Sequence, residues 1–286
     1  MAERGIFVPF LEEILRIFNT KMATPGLFGW FHLMWFALVI LGSIGVCLVH
    51  KKWKPDVSKV LLTVSVTVVL LEIYKQINFS FSYTDGIRFD YQWYAFPFQF
   101  CSTPMYVGLL AGLIKKGKVH DALCAYLATY AMFAGLITMV IPNDIYVDII
   151  GINIQTSICH GSMITIAIYL LYTGYVKLEH KTILKAMSVF ACTMGVAMIL
   201  NEIAFHSGLE ETFNMFYISP HQAPSLLVYS DIQKVVPFPF CTIIYFLGFT
   251  LAAYLILLAA IGISKLCSVI RKKKSTAESE SVAVVK

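Results

Sequence analysis

Seven stretches of this chain are apolar over the length of a bilayer crossing, and nothing else in it limits the fold as strongly. They run at about residues 28–50, 57–79, 96–114, 120–141, 152–174, 182–206 and 238–265. A hydrocarbon core about 30 Å thick takes roughly 20 residues of helix, so each stretch predicts one transmembrane helix. Composition points the same way: 58% of the 286 residues are hydrophobic and 14% charged, where an ordinary soluble domain carries about 25% charged residues. Disordered, collagen-like and disulfide-scaffold classes are excluded, since each needs a polar, Gly-periodic or Cys-dense sequence. The expected fold is all-α, a polytopic membrane protein built as a seven-transmembrane-helix bundle over residues 27–266. No internal repeat is visible, which gives no support to a repeat-built transporter.

The scarce charges set a topology. Sixteen of the 22 basic residues fall in the first, third and fifth loops and the C-terminal end, among them Lys51, Lys52, Lys54, Lys115, Lys116, Lys118, Lys177, Lys181 and Arg271. The positive-inside rule then places the N-terminus outside and the C-terminus in the cytoplasm. A net charge of +5 spread over loops in this way is not the clustered basic face that a nucleic-acid partner needs. The cysteines number seven, an odd count, and lie in or beside apolar segments, against a disulfide framework. Residues 1–26 carry no short apolar core of a signal peptide; within them 7–18 has helical amphipathicity suited to an interfacial helix or to a simple lead-in. Residues 267–286 are basic and then mixed polar, and predict a disordered cytoplasmic tail.

Polar residues inside the spans gather toward the outer side. The second span carries Glu72, Lys75, Gln76 and Asn78; the third opens with Gln99 and Cys101; the fifth carries Gln155, Cys159 and His160; the sixth ends with Asn201, Glu202 and His206. Intramembrane polar groups mark either a function or an internal bond, and here they predict one outer-leaflet cavity. Each also has a plain structural role open to it. Glu72 and Lys75, three apart on one face, neutralise each other; Asn201 and Glu202 serve as interhelical glue; His160 is a satisfied core histidine; Cys101 is a small packing residue. Against the last, Cys101 follows Pro97 in the first turns of its helix, where free amides favour a thiolate, and shares its depth with His160. No metal is expected, because adjacent Cys159 and His160 point about 100° apart on a helix.

The segment Phe96-Pro97-Phe98-Gln99-Phe100-Cys101 resembles the Leu-Pro-Leu-x-Leu-Cys signature of the YwaF-like integral membrane proteins. The resemblance continues in order through Pro142-Asn143-Asp144, His160, Asn201, Asn214-Met215-Phe216, Pro224-Ser225-Leu226-Leu227 and Pro237-Phe238-Pro239-Phe240. That family is similar to the eukaryotic transmembrane protein 164 acyltransferases, which move acyl chains between phospholipids through a cysteine intermediate. The resemblance implies that Cys101 takes the acyl group and His160 acts as its base. Gln99, Asn201 or a backbone amide near Pro97 would then hold the oxyanion, Glu72 or Glu202 would orient His160, and Asn214 would help seat the substrate. It implies membrane lipids as substrate, no cofactor, and the plasma membrane if the source is bacterial. Two other classes remain open at this stage: a transporter or receptor with an outward-facing polar cavity, and a non-catalytic membrane scaffold.

Overall fold

A computed structural model describes residues 7–83, 87–142, 145–209, 212–222, 226 and 228–284, with the backbone alone for 7–9 and 273–284. The protein is all-α apart from one two-residue-per-strand hairpin. Its elements are α1 (Phe7–Phe18), α2 (Trp30–Trp53), α3 (Val57–Asn78), β1 (Phe81–Ser82), β2 (Arg88–Phe89) and α4 (Thr103–Leu113). They continue with α5 (Lys118–Val140), α6 (Ile150–Tyr172), α7 (Thr182–His206), α8 (Tyr229–Val235) and α9 (Phe240–Val284). The stretch Leu127–Ala131 of α5 is wound as a π-turn.

The turns follow from local chemistry. The α2–α3 turn is Lys54-Pro55-Asp56. Lys54 takes a left-handed conformation with φ 45° and returns its N–H to the His50 carbonyl. Proline then stops the helix, and Asp56 caps α3 by accepting from the Ser58 N–H at 2.8 Å. Asp121 at the start of α5 meets Lys185 near the start of α7 at 3.0 Å. His50 at the end of α2 meets Tyr169 at the end of α6 at 3.2 Å. These contacts define a lysine-rich end of the bundle. At the other end α1 is tied down: Tyr74 and Asn78 of α3 both donate to the Phe18 carbonyl, at 2.7 and 3.0 Å.

α5 and α6 lie at the centre, with 67% and 61% of their spans buried, whereas α2 and α9 bury 11% and 17% and turn their apolar faces outward. Around the centre α3 packs on α4 and α6, α2 on α6, and α7 and α9 on α5. Stacked rings fill the core between α5, α7 and α9: Tyr126, Tyr130, Phe190, Phe246 and Phe249.

Among the described residues six helices are long and apolar enough to cross a bilayer. The third expected span, 96–114, contains only the 11-residue α4, about 16 Å long at 1.5 Å per residue. Its first half is turns, because Pro97 and Pro104 each remove a helical donor. In the C-terminal segment 267–286, expected as a basic run and then a disordered tail, α9 is helical through Val284. Asn143, Asp144, Pro224, Ser225 and Leu227, which belong to the resemblance, lie outside the described residues.

Candidate functional site

The turns before α4 lie among packed helices, where an unpaired backbone group costs several kcal/mol in the absence of water. Phe100 shows how deep they run: it packs on Phe190, Phe216 and Phe249, with ring centroids 5.6, 5.8 and 4.9 Å away. Backbone bonds and side chains together replace the missing helical ladder. Ser102 and Thr103 donate their N–H groups to the Gln99 carbonyl at 2.8 and 3.1 Å. Tyr106 donates its hydroxyl to the Pro97 carbonyl at 2.9 Å, Thr103 to Phe100 at 2.9 Å, and Gln76 its amide to Ala95 at 2.8 Å. Cys101 stands in the last of these turns, half-buried and unbridged.

Beside it lies a buried ionic cluster. Glu72 on α3 is 5% exposed and pairs with Lys75 at 2.8 Å. Its two oxygens also accept from Gln76 at 2.7 Å and from Gln155 of α6 at 3.2 Å. Gln76 in turn accepts from the Tyr91 hydroxyl at 2.6 Å. Burial, with the Glu72 charge second, pushes the Tyr91 phenol up, which keeps it a donor to Gln76. Cys101 lies within electrostatic reach of both Lys75 and Glu72.

A third group is a clasp. The Gln99 amide donates to the Asn214 carbonyl at 3.0 Å and accepts from the Phe216 N–H at 2.9 Å. Asn201 on α7 does the same to Met215, accepting from its N–H at 2.7 Å and donating to its carbonyl at 3.0 Å. Two side-chain amides thus grip a segment in which Phe216 and Tyr217 hold φ 59° and 58°, a conformation that non-glycine residues adopt only when their surroundings impose it. Asn214 accepts from the Ser219 N–H at 3.0 Å, while its buried Nδ2 has no partner among the described residues.

His160 sits on α6, 5% exposed, with Nδ1 2.7 Å from the Thr156 carbonyl. A carbonyl only accepts, so Nδ1 carries the proton and the neutral ring keeps its lone pair on Nε2. Among the described residues no hydrogen bond joins His160 to Cys101; Cys159 is the α6 neighbour whose thiol lies within electrostatic reach of Cys101. The Cys–His contact that the structure does contain is Cys124 with His120 of α5, at 3.6 Å and fully buried. Glu202 stands apart from His160. It is half-exposed, 3.1 Å from His221, and His221 stacks on Phe205 with centroids 3.7 Å apart.

So Glu72 lies within electrostatic reach of Cys101, Gln99, Asn201 and Asn214 meet on the 214–216 segment, and His160 and Glu202 stand in separate surroundings. Tyr91, in the loop before the third stretch, escapes a search for polar residues inside the spans, whereas Gln155 is among those residues but its pairing with Glu72 is not visible in the sequence. The sequence model of the TMEM164 family matches residues 27–259, well over half of the chain. The chain belongs to the TMEM164 family. No curated protein and no solved structure matches it. The match opens just before α2 and closes within α9, so the family's common part holds all three groups described above, while α1 lies outside it.

In this TMEM164-family protein the wall behind the turns opens into a groove. Its volume is about 410 Å³, and Glu72, Gln76, Pro97, Met105, Tyr106 and Phe89 are among the residues lining it. Apolar walls with a few convergent polar groups suit one amphiphilic ligand. Glu72 and Gln76 already satisfy each other, and the groove shares Pro97, Met105 and Tyr106 with the two sides of the Cys101 turn.

Proposed function

We propose that this protein is a multi-pass membrane acyltransferase that moves fatty acyl chains between glycerophospholipids through a thioester on Cys101. The observation that carries the proposal is the half-buried free thiol at the head of a shortened helix, flanked by an apolar groove and the Glu72–Lys75 pair. In this view an acyl chain lies along Pro97, Met105 and Tyr106 with its ester near Cys101. The Cys101 sulfur attacks the ester carbonyl as its proton passes, through water at the bound headgroup, to His160 Nε2, which no hydrogen bond joins to Cys101 among the described residues. The thioester forms, and the lysophospholipid leaves as an alcohol carrying the proton back from His160. An acceptor lysophospholipid hydroxyl then attacks the thioester, gives its proton to the same nitrogen, and restores the thiol. Asn214 Nδ2, a buried donor without a partner among the described residues, is the group left to bind the ester oxygen. Gln99 and Asn201 act as positioning residues, since their amides are committed to the 214–216 segment.

The same proposal places seven membrane passages, with the short α4 and the turns before it making the third, the N-terminus outside and the C-terminus in the cytoplasm. Non-helical backbone is tolerated at membrane depth where protein surrounds it, as it does here.

The test is acyl trapping. Purified protein is incubated with a phospholipid bearing an alkyne-tagged acyl chain, quenched in acid, and the tag read on the protein with and without hydroxylamine. Hydroxylamine-sensitive labelling is expected, absent in Cys101→Ala and slowed in His160→Ala. Equal labelling of Cys101→Ala would overturn the proposal.

A further inference from the structure

A second groove, which does not include Cys101, lies between α7 and α9 toward the lysine-rich end. It encloses about 440 Å³. Its walls are Ile183 and Leu184 of α7 and Leu247 and Leu251 of α9, and its rim is His180, Lys181 and Tyr254. From Ile183 to Asn201 is about 27 Å along α7 at 1.5 Å per residue, so this groove and the clasp belong to opposite ends of the bundle.

Leu184, Leu247 and Leu251 are 62%, 56% and 59% exposed, and on the outward face of a membrane bundle such walls meet acyl chains. The wall from Leu247 to Tyr254 rises about 10 Å, enough for the first several carbons of a chain below its glycerol. The rim is polar and basic. His180 Nδ1 lies 2.8 Å from the Tyr254 hydroxyl; with that hydroxyl donating, Nε2 carries its hydrogen and faces a ligand as a donor. Lys181 has no carboxylate partner among the described residues, whereas its neighbour Lys185 is committed to Asp121. Glu179 is the one acid in the loop beside Lys177 and Lys181. Basic rims over apolar clefts between transmembrane helices hold anionic headgroups.

We infer that the α7–α9 groove holds one anionic glycerophospholipid as a bound companion lipid, its phosphate on Lys181 and His180 and one acyl chain against Leu247 and Leu251. This does not depend on any role of Cys101.

To test it, delipidated protein in neutral detergent is given equal amounts of phosphatidylglycerol and phosphatidylcholine, and retained lipid is measured by mass spectrometry of the intact complex. Preferential retention of phosphatidylglycerol is expected, undisturbed by soluble glycerol phosphate, which lacks a chain. Lys181→Gln should lower that retention about fivefold, the effect of one lysine at a lipid headgroup, and leave phosphatidylcholine unchanged. Leu251→Trp, which fills the wall, should remove bound lipid. Lys51→Gln, on another turn at the same end, should match the wild type. An unchanged preference in Lys181→Gln, an equal loss in Lys51→Gln, or displacement by glycerol phosphate would overturn the inference.

Discussion

Replacing Asn201 by alanine probes the clasp directly. The side chain is 2% exposed and the residue it holds, Met215, is fully buried. Alanine removes both hydrogen bonds to Met215, at 2.7 and 3.0 Å; it orphans the backbone N–H and leaves the carbonyl only the long 3.4 Å bond from the Ile218 N–H. The orphaned N–H costs about 1–3 kcal/mol and the lost bond to the carbonyl about 1 kcal/mol, so the net loss is about 2–4 kcal/mol. In a chain of this size a kcal/mol moves the midpoint by roughly 2–4 °C, which predicts an apparent Tm lower by about 5–15 °C. Asn201→Asp separates geometry from shape: it keeps an acceptor for the Met215 N–H but sets a second oxygen against the Met215 carbonyl, so it should be no more stable than alanine. The assay is thermal unfolding of detergent-purified protein followed by intrinsic fluorescence or by loss of monodispersity. An Asn201→Ala protein melting within a degree or two of the wild type would refute the clasp as a structural device. The amide would then be free for substrate.

Glu72→Gln leaves the Lys75 ammonium without its counter-charge and should cost about 3–5 kcal/mol. Adding Lys75→Met should recover most of that loss, and strictly additive effects in the double-mutant cycle would show that the pair is not coupled. Gly112→Ala places a methyl group 2.9 Å from Leu62 Cβ and 3.0 Å from its backbone nitrogen. The α3–α4 contact must therefore open, at about 1–3 kcal/mol, and an unaltered melting temperature would count against the close packing. Cys267 is exposed on α9 beyond the apolar stretch. A membrane-impermeant maleimide should therefore leave it unlabelled in intact cells and label it after permeabilisation, and labelling before permeabilisation would reverse the proposed orientation.

The long apolar stretches could be read from the sequence because twenty apolar residues admit few structures in lipid: α2, α3, α6 and α7 begin and end within three residues of expectation. The stretch 96–114 misleads for a physical reason. Its hydropathy is that of a span, and hydropathy does not register where the ladder is broken. The signal lay in Pro97 and Pro104 together with an unusual supply of nearby amides and hydroxyls. The C-terminal helix misleads in the other direction, since its polar composition gives no account of helix persisting to Val284. At the site, depth along each helix brings Glu72, Gln76 and Gln155 to one level, but helical angle decides who meets whom. Cys159 and His160 share a depth and differ by about 100° in direction, and it is Cys159 that comes near Cys101.

Most of the polar residues that depth picks out turn out to be employed. Gln76, Thr103 and Tyr106 stand in for hydrogen bonds that a straight helix through 95–102 would have made for itself. Asn201 supports the segment that Gln99 also holds, and Asn78 anchors α1. A bundle that needed only to cross the membrane would have no use for this arrangement, because an unbroken third helix satisfies its own backbone without help. The break therefore takes three polar side chains, Gln76, Thr103 and Tyr106, and Cys101 stands in the last of the turns that it creates. Set apart from that structural work among the described residues are the Cys101 thiol, the Nε2 lone pair of His160 and the Asn214 Nδ2 donor. Under the proposed function these would serve as nucleophile, base and oxyanion donor, the three groups that acyl transfer through a thioester requires.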